Sequence, residues 1–135
     1  MTIDLIALIN DALVHAGCDD TATQDLNPHA AIELEFLSIP KITIERSEDD
    51  AVVLHCCLSD HADRLRTCTT SRLVDTVARK APWARHHTVS LLEDDGELYL
   101  TAVVGDHCLR DGAGFSSALD GFYERVHTLC EVARG

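Results

Sequence analysis

The chain has 135 residues, of which 46% are hydrophobic and 25% are charged, a composition typical of one globular domain. Its formal net charge is −12, from 23 acidic and 11 basic residues, which disfavours nucleic acids and anionic membranes as partners because both attract Lys and Arg. No apolar run approaches the roughly 18 residues of a membrane span, and the N-terminus lacks the features of a signal peptide. We therefore expect a single cytoplasmic domain, residues 1–135, without membrane insertion and with its cysteines as thiols.

The N-terminal half predicts one helix followed by three strands. The helix runs from a cap at Thr2 to a stop at Gly17. Its apolar residues overfill a single stripe, so part of the helix needs a cover other than the sheet; these residues are Ile3, Leu5, Ile6, Leu8, Ile9, Leu13 and Val14. After a polar segment, alternating or continuous apolar patterns predict strands over 32–36, 41–46 and 51–59. Short connections between them favour an antiparallel meander.

The C-terminal half predicts a helix, a hairpin and a long final helix. The central helix spans about 61–80 before Pro82. Its candidate buried positions are Leu65, Leu73, Val74 and Val77. Strands over 88–92 and 96–104 flank "EDDG", a strong hairpin signal. The last helix follows Asp111 and carries one apolar stripe, formed by Phe115, Ala118, Leu119, Phe122, Val126, Leu129 and Ala133. The order α-β-β-β-α-β-β-α predicts an α+β domain with helices packed on a largely antiparallel, twisted sheet.

The stretch "LHCCLSDHADRLRTC", residues 54–68, concentrates histidine and cysteine. Structural zinc sites usually need ligand pairs spaced as Cys-x₂₋₄-Cys, whereas Cys56 and Cys57 are adjacent and should point to opposite faces of a strand. We interpret Cys56 as a small core residue and expect neither a metal nor another cofactor. A His/Cys-rich metal-binding or thiol-redox protein is the alternative interpretation.

Other motifs fall short of a catalytic site. Ser116 and Ser117 lack the Gly-x-Ser-x-Gly context of a hydrolase nucleophile. Gly112 and Gly114 do not follow a strand in the manner of a dinucleotide-binding loop, and a flexible start of the last helix explains them. A chain with an over-apolar first helix and no assembled catalytic group is typical of a binding module rather than an enzyme.

The segment "DGAGFSSALDGFYERV", residues 111–126, closely resembles the last helix of type III secretion chaperones of the SpaK/InvB family. These are the class IB chaperones, which serve several effectors. "AGCD" at 16–19 and "GELYL" at 96–100 are also similar to that family, and the resemblance extends in register over essentially the whole chain. It implies a homodimer in the bacterial cytoplasm that catalyses no reaction. Such a chaperone binds the N-terminal regions of secreted effectors, keeps them soluble, and delivers them to the secretion ATPase or sorting platform.

With this resemblance, the sequence indicates two contact surfaces. An effector would cover the spare apolar face of the first helix together with the neighbouring strands, which predicts an effector-binding set of Ile3, Leu5, Leu8, Ile32, Leu34 and Phe36. The first three of these are predicted to be exposed, whereas Ile6, Ile9 and Leu13 should face the core. The mixed face of the central helix and the segment after it predict a dimer interface at Leu73, Val74, Val77, Trp83 and Val89.

Overall fold

The structure is a computed structural model, and it describes residues 7–9, 11, 32–36, 39–47, 51–58, 64–65 and 71–134. Ala7 to Ile9, Asp11 and residues 64–65 are helical. The regular elements whose bounds lie within the described residues are five strands and two helices, in the order β1 (Ile32–Leu34), β2 (Ile42–Arg46), β3 (Val52–Cys57), α1 (Ser71–Ala78), β4 (Ser90–Asp94), β5 (Glu97–Val103) and α2 (Gly112–Arg134). Short 3₁₀ turns occupy Arg85–His87 and Asp106–Cys108.

The strands form one antiparallel sheet in the order β1-β2-β3-β5-β4. The first three strands make a meander, while β5 pairs with β3 and leaves β4 outside it. Among the described residues, β1 and β4 are therefore the edge strands. The predicted α+β class and the antiparallel sheet are confirmed.

Side-chain alternation creates one buried sheet face. Ile44 on β2 is opposite Leu54 on β3, which in turn is opposite Ala102 on β5, and all three are buried. Because successive residues of a strand point to opposite sides, Val53 and His55 lie on the other face, where they are only half-buried. The continuous apolar run in the third predicted strand therefore reflects one buried face and not two.

The C-terminal helix α2 supplies much of the remaining core. The predicted stripe is confirmed, because six of its seven residues are buried and Leu119 is half-buried against the core. Phe115 and Phe122 are the largest fully buried side chains of the described chain. They belong to the same cluster as Leu54 and Leu100 of the sheet and Ile9 of the N-terminal segment.

The hairpin predicted from "EDDG" is confirmed as a two-residue turn. Asp94 pairs with Glu97, and Asp95 and Gly96 between them both have positive φ angles, 53° and 83°. This is the backbone that favours Gly and Asp in tight antiparallel turns.

The central helix differs from its prediction at one position. Leu65 is buried, and Leu73 and Val77 pack half-buried against the core, but Val74 is 62% exposed. The prediction that Val74 is buried was therefore wrong. Within the described ranges, no helix is both long enough and apolar enough to cross a membrane.

Candidate binding surfaces

The predicted effector-binding residues divide into three groups in the structure. Ile3 and Leu5 lie outside the described residues, as do Ile6 and Leu13 of the core-facing set. Leu8, which was expected to be exposed, is buried beside Ile9 in the main core. That expectation is wrong, and a charged residue at Leu8 would destabilise the fold rather than test binding selectively.

The three members of this set on or after β1 become more exposed along the chain. Ile32 is buried and Leu34 is half-buried against the core, whereas Phe36, just beyond the strand, is 37% exposed. The ring of Phe36 meets Tyr123 edge-to-face, with centroids 5.1 Å apart at 62°. Tyr123 in turn stacks on His127, with centroids 6.3 Å apart at 14°. We call Phe36, Tyr123 and His127 the aromatic patch.

The aromatic patch adjoins an edge of the sheet. β1 pairs only with β2 among the described residues, so its outer backbone groups face away from the sheet. An edge strand can accept an extended segment through main-chain hydrogen bonds, and neighbouring apolar rings can hold its side chains. The sequence identified Phe36 as part of this surface but missed Tyr123 and His127, although their spacing of four residues on one helix places them on a common face.

The predicted dimer residues are not equally accessible. Val74 is exposed, Leu73 and Val77 are half-buried, and Trp83 and Val89 are buried within their own chain. A second exposed apolar side chain, Leu92, is 50% accessible on the edge strand β4.

Trp83 is held firmly within the monomer. Its indole meets the ring of Phe122 edge-to-face at 6.0 Å, and its backbone carbonyl accepts a hydrogen bond of 2.8 Å from the Gly105 N–H. A Cβ atom at Gly121 would collide with the indole Nε1 and Cδ1 atoms. Gly121 in the motif "DGFY" therefore provides the space that Trp83 occupies.

Gly112 and Gly114 of the C-terminal motif lie at the beginning of α2, where their N–H groups donate to two aspartate side chains. Asp111 accepts a hydrogen bond from the Gly114 N–H at 2.8 Å, the geometry of an N-terminal helix cap. Asp11, 101 residues earlier, accepts one from the Gly112 N–H at 2.9 Å. A Cβ atom at Gly112 would collide with the Asp11 carboxylate, so this position makes a close contact and is more than a flexible helix start.

The histidine and cysteine stretch does not assemble a metal site in the part of the chain that is described. Cys56 is buried and Cys57 lies on the half-buried opposite face, as predicted. Across that face, His55 Nε2 lies 3.1 Å from Glu45 and His55 Nδ1 lies 3.1 Å from the Thr101 hydroxyl. No group of three or more His, Cys, Asp or Glu side chains among the described residues is placed to hold a metal ion; His61 and Cys68 lie outside them. These contacts give the metal-binding alternative no support.

Together, the fold and its surfaces define an α+β domain with an exposed aromatic side chain, Phe36, beside an edge strand of its sheet. The sequence profile of the Invasion protein B family matches residues 17–95, more than half of the chain. Two proteins named "Surface presentation of antigens protein SpaK", from Salmonella typhimurium strain LT2 and from Salmonella typhi, are each 32% identical to it over 127 residues. These alignments cover 94% of this chain and 93% of each Salmonella protein. The chain belongs to the Invasion protein B family, and is thus a secretion-related invasion protein, as the sequence resemblance predicted.

Proposed function

We propose that the protein is a non-catalytic, homodimeric chaperone of the bacterial cytoplasm. It binds the N-terminal regions of type III secreted effectors, keeps them soluble and competent for secretion, and brings them to the secretion ATPase or sorting platform. Membership of the Invasion protein B family supports a role in secretion. The absence of a nucleophile motif in the sequence supports binding rather than catalysis.

The observation that carries the proposal is the aromatic patch beside β1. Phe36 is one of three large apolar side chains that the described surface exposes, and it stands directly after an edge strand. An unfolded effector segment can add to that edge by backbone hydrogen bonds and place apolar side chains on Phe36 and Tyr123. Half-buried Leu34 extends the same surface along β1. In this proposal Ile3 and Leu5 of the N-terminal segment complete the site.

The charge of the chain supports the same function. A net charge of −12 opposes non-specific aggregation, which helps to keep a protein with an apolar binding surface in solution. The same charge attracts basic segments of a partner, so effector association should slow as ionic strength rises.

We place the homodimer contact on the exposed side of α1, centred on Val74. Leu73 and Val77 flank it on the same helix, and a two-fold axis would bring this patch against itself. Trp83 and Val89 support the interface from behind, since both side chains are already packed inside their own chain.

The test begins with the effectors of the native bacterium. Secreted proteins that co-purify with the chaperone are identified by mass spectrometry, and their N-terminal and C-terminal fragments are then prepared separately for calorimetric binding. We expect the N-terminal fragments to bind and the C-terminal fragments not to bind. Phe36→Asp should weaken binding about tenfold or more, because it replaces an apolar contact by a charge that must be desolvated.

Leu92→Asp is the matched control for this variant. It places the same charge at an exposed apolar position on the opposite edge strand, β4, and should leave effector binding within about twofold of wild type. Circular dichroism establishes that both variants are folded. Wild-type affinity in a folded Phe36→Asp protein would contradict the proposed site, and equal binding of N-terminal and C-terminal fragments would contradict the proposed function.

A further inference from the structure

A separate cavity lies between the end of α1 and the middle of α2. Its volume is about 230 Å³, which fits a small ion or one side chain rather than a drug-sized molecule. We call it the cationic cavity; its lining residues are Thr76, Arg79, Lys80, Pro82, Trp83, Gly121, Glu124, Arg125 and Thr128. It does not include any residue of the aromatic patch.

The charge of this cavity is opposite to that of the protein. Three basic side chains, Arg79, Lys80 and Arg125, line it together with one acidic side chain, Glu124. The chain as a whole has about twice as many acidic as basic residues, 23 against 11. A local excess of positive charge in such a protein favours an anion at this place.

Arg125 is the most informative residue of the cavity. It is only 8% exposed, and its one hydrogen bond to a described residue is donated from Nη1 to the Arg79 carbonyl oxygen at 3.1 Å. No described carboxylate lies within ion-pair distance of its guanidinium, and desolvation followed by the charge of Arg79 lowers its pKa. A guanidinium has five N–H donors, so Arg125 has more donors than the described residues supply with acceptors.

Among the remaining polar groups of the lining, the Trp83 indole is a further donor, whereas the Glu124 carboxylate is an acceptor. The Trp83 indole Nε1 lies beside Gly121 and makes no hydrogen bond with a described residue. The Thr76 and Thr128 hydroxyls are already engaged, donating to the carbonyl oxygens of Arg72 and Glu124 at 2.7 and 2.9 Å. Each of these hydroxyls has donated its one hydrogen and can only accept a further bond. A ligand here therefore meets the N–H donors of Arg125 and Trp83 and a net positive charge from three cations against one carboxylate.

We propose that the cationic cavity binds a small oxyanion, a carboxylate or a phosphate group, through Arg125 with Arg79 and Lys80 at its mouth. A guanidinium fork matches the two oxygens of either group. The oxyanion comes either from a free small molecule or from an acidic side chain of a bound polypeptide. This inference does not depend on effector binding at the aromatic patch.

Trp83 makes the proposal directly testable, because it is the only tryptophan of the chain and lines the cavity. Its fluorescence is followed while sodium phosphate, sodium succinate or a capped Gly-Glu-Gly peptide is added at constant ionic strength. We expect a saturable change in the millimolar range with at least one probe. Saturation by phosphate or succinate identifies a free anion as sufficient, whereas saturation by the peptide alone identifies an acidic side chain as the source.

Two variants and a control separate this site from general salt effects. Arg125→Gln removes the buried donor group, and the double variant Arg79→Gln, Lys80→Gln removes the two exposed cations without touching a buried side chain. Each variant should lower the affinity for the probe that saturates wild type by about tenfold or more. Lys41→Gln removes an exposed cation that pairs with Glu33 on β1 and should bind as wild type does. If Arg125→Gln does not fold, the double variant decides the question. The proposal is overturned if none of the three probes saturates, or if wild type and the double variant respond equally.

Discussion

The Cys56 thiol is buried where its ionised form is strongly disfavoured. Desolvation, followed by the neighbouring Cys130 and Cys57, raises its pKa from 9.0 to about 12. At neutral pH the thiol is protonated in both the folded and the unfolded chain, so this shift contributes no pH dependence there. Above pH 9 the unfolded chain loses the proton while the folded chain keeps it, and stability must fall as pH rises from about 9 to about 12.

Cys56→Ala should therefore reduce the loss of stability in alkali. We expect urea unfolding of wild type to show about 2 kcal/mol more loss between neutral pH and about pH 11 than unfolding of the variant. Part of the slope should remain, because burial also raises the pKa of Cys130. Cys57→Ala, on the opposite face of the same strand, is the control and should keep most of the wild-type slope, because Cys57 is the smallest of the three causes that raise the pKa of Cys56. An identical slope in all three proteins would contradict the assignment to Cys56.

Trp83 shows that the type of a single residue does not predict which residues it contacts. The sequence predicted Trp83 as an anchor of the dimer interface, and it is only 9% exposed within its own chain. Its neighbours, however, are Phe122 and Gly121 of its own chain. A glycine in mid-helix is a sequence signal for close packing, but which residue approaches it depends on the tertiary fold. Leu8 gives the same lesson, since the orientation of a helix with two apolar faces cannot be read from periodicity alone.

The strands and helices were predicted more fully than their boundaries and the turns that connect them. Three kinds of signal placed all five strands: alternation for the first two, a continuous apolar run for the third, and the hairpin signal "EDDG" between the last two. The boundaries differ by a few residues: β1 ends at Leu34 rather than at Phe36, which leaves Phe36 at the surface. The turn Arg85–His87 was not predicted, since His86 and His87 both adopt φ values of 58°, a conformation that few residues other than glycine adopt.

The contact between Asp11 and Gly112 joins the helical N-terminal segment to the first turn of α2. It places a carboxylate at a helix N-terminus, where unpaired N–H groups and the helix dipole favour negative charge. Asp11→Ala should lower the free energy of unfolding by about 1 kcal/mol. Asp11→Asn should cost less, because the amide oxygen still accepts the hydrogen bond although the charge is lost.

Asp120→Ala is the control for this pair, since Asp120 is exposed in the middle of the same helix. It should change stability by less than about 0.5 kcal/mol. Urea unfolding at neutral pH measures all three variants. If Asp11→Ala were no less stable than Asp120→Ala, the two elements would not be coupled through this bond.

At the scale of the whole molecule, the exposed apolar side chains are distributed over distinct elements. Phe36 follows the β1 edge, Val74 lies on α1, and Leu92 lies on the β4 edge. The order of the predicted elements correctly gave an α+β protein, but it carries no information about which copy or partner covers each of these positions. Assembly is a property of surfaces from several elements, and it has to be tested by variants that separate those surfaces.

Val74→Glu tests the proposed dimer contact without disturbing the core. Val74 is 62% exposed in the single chain, so a glutamate there is tolerated by the monomer, and its helix propensity is at least as good. In a two-fold contact the variant would bring two like charges together at a desolvated interface. We expect size-exclusion chromatography with light scattering to give a dimer for wild type and a monomer for Val74→Glu at micromolar concentration. Phe36→Asp, which alters the effector surface, should remain a dimer. A dimeric Val74→Glu protein would show that the interface does not lie on α1. A monomeric wild-type protein would contradict the homodimer in the proposed function.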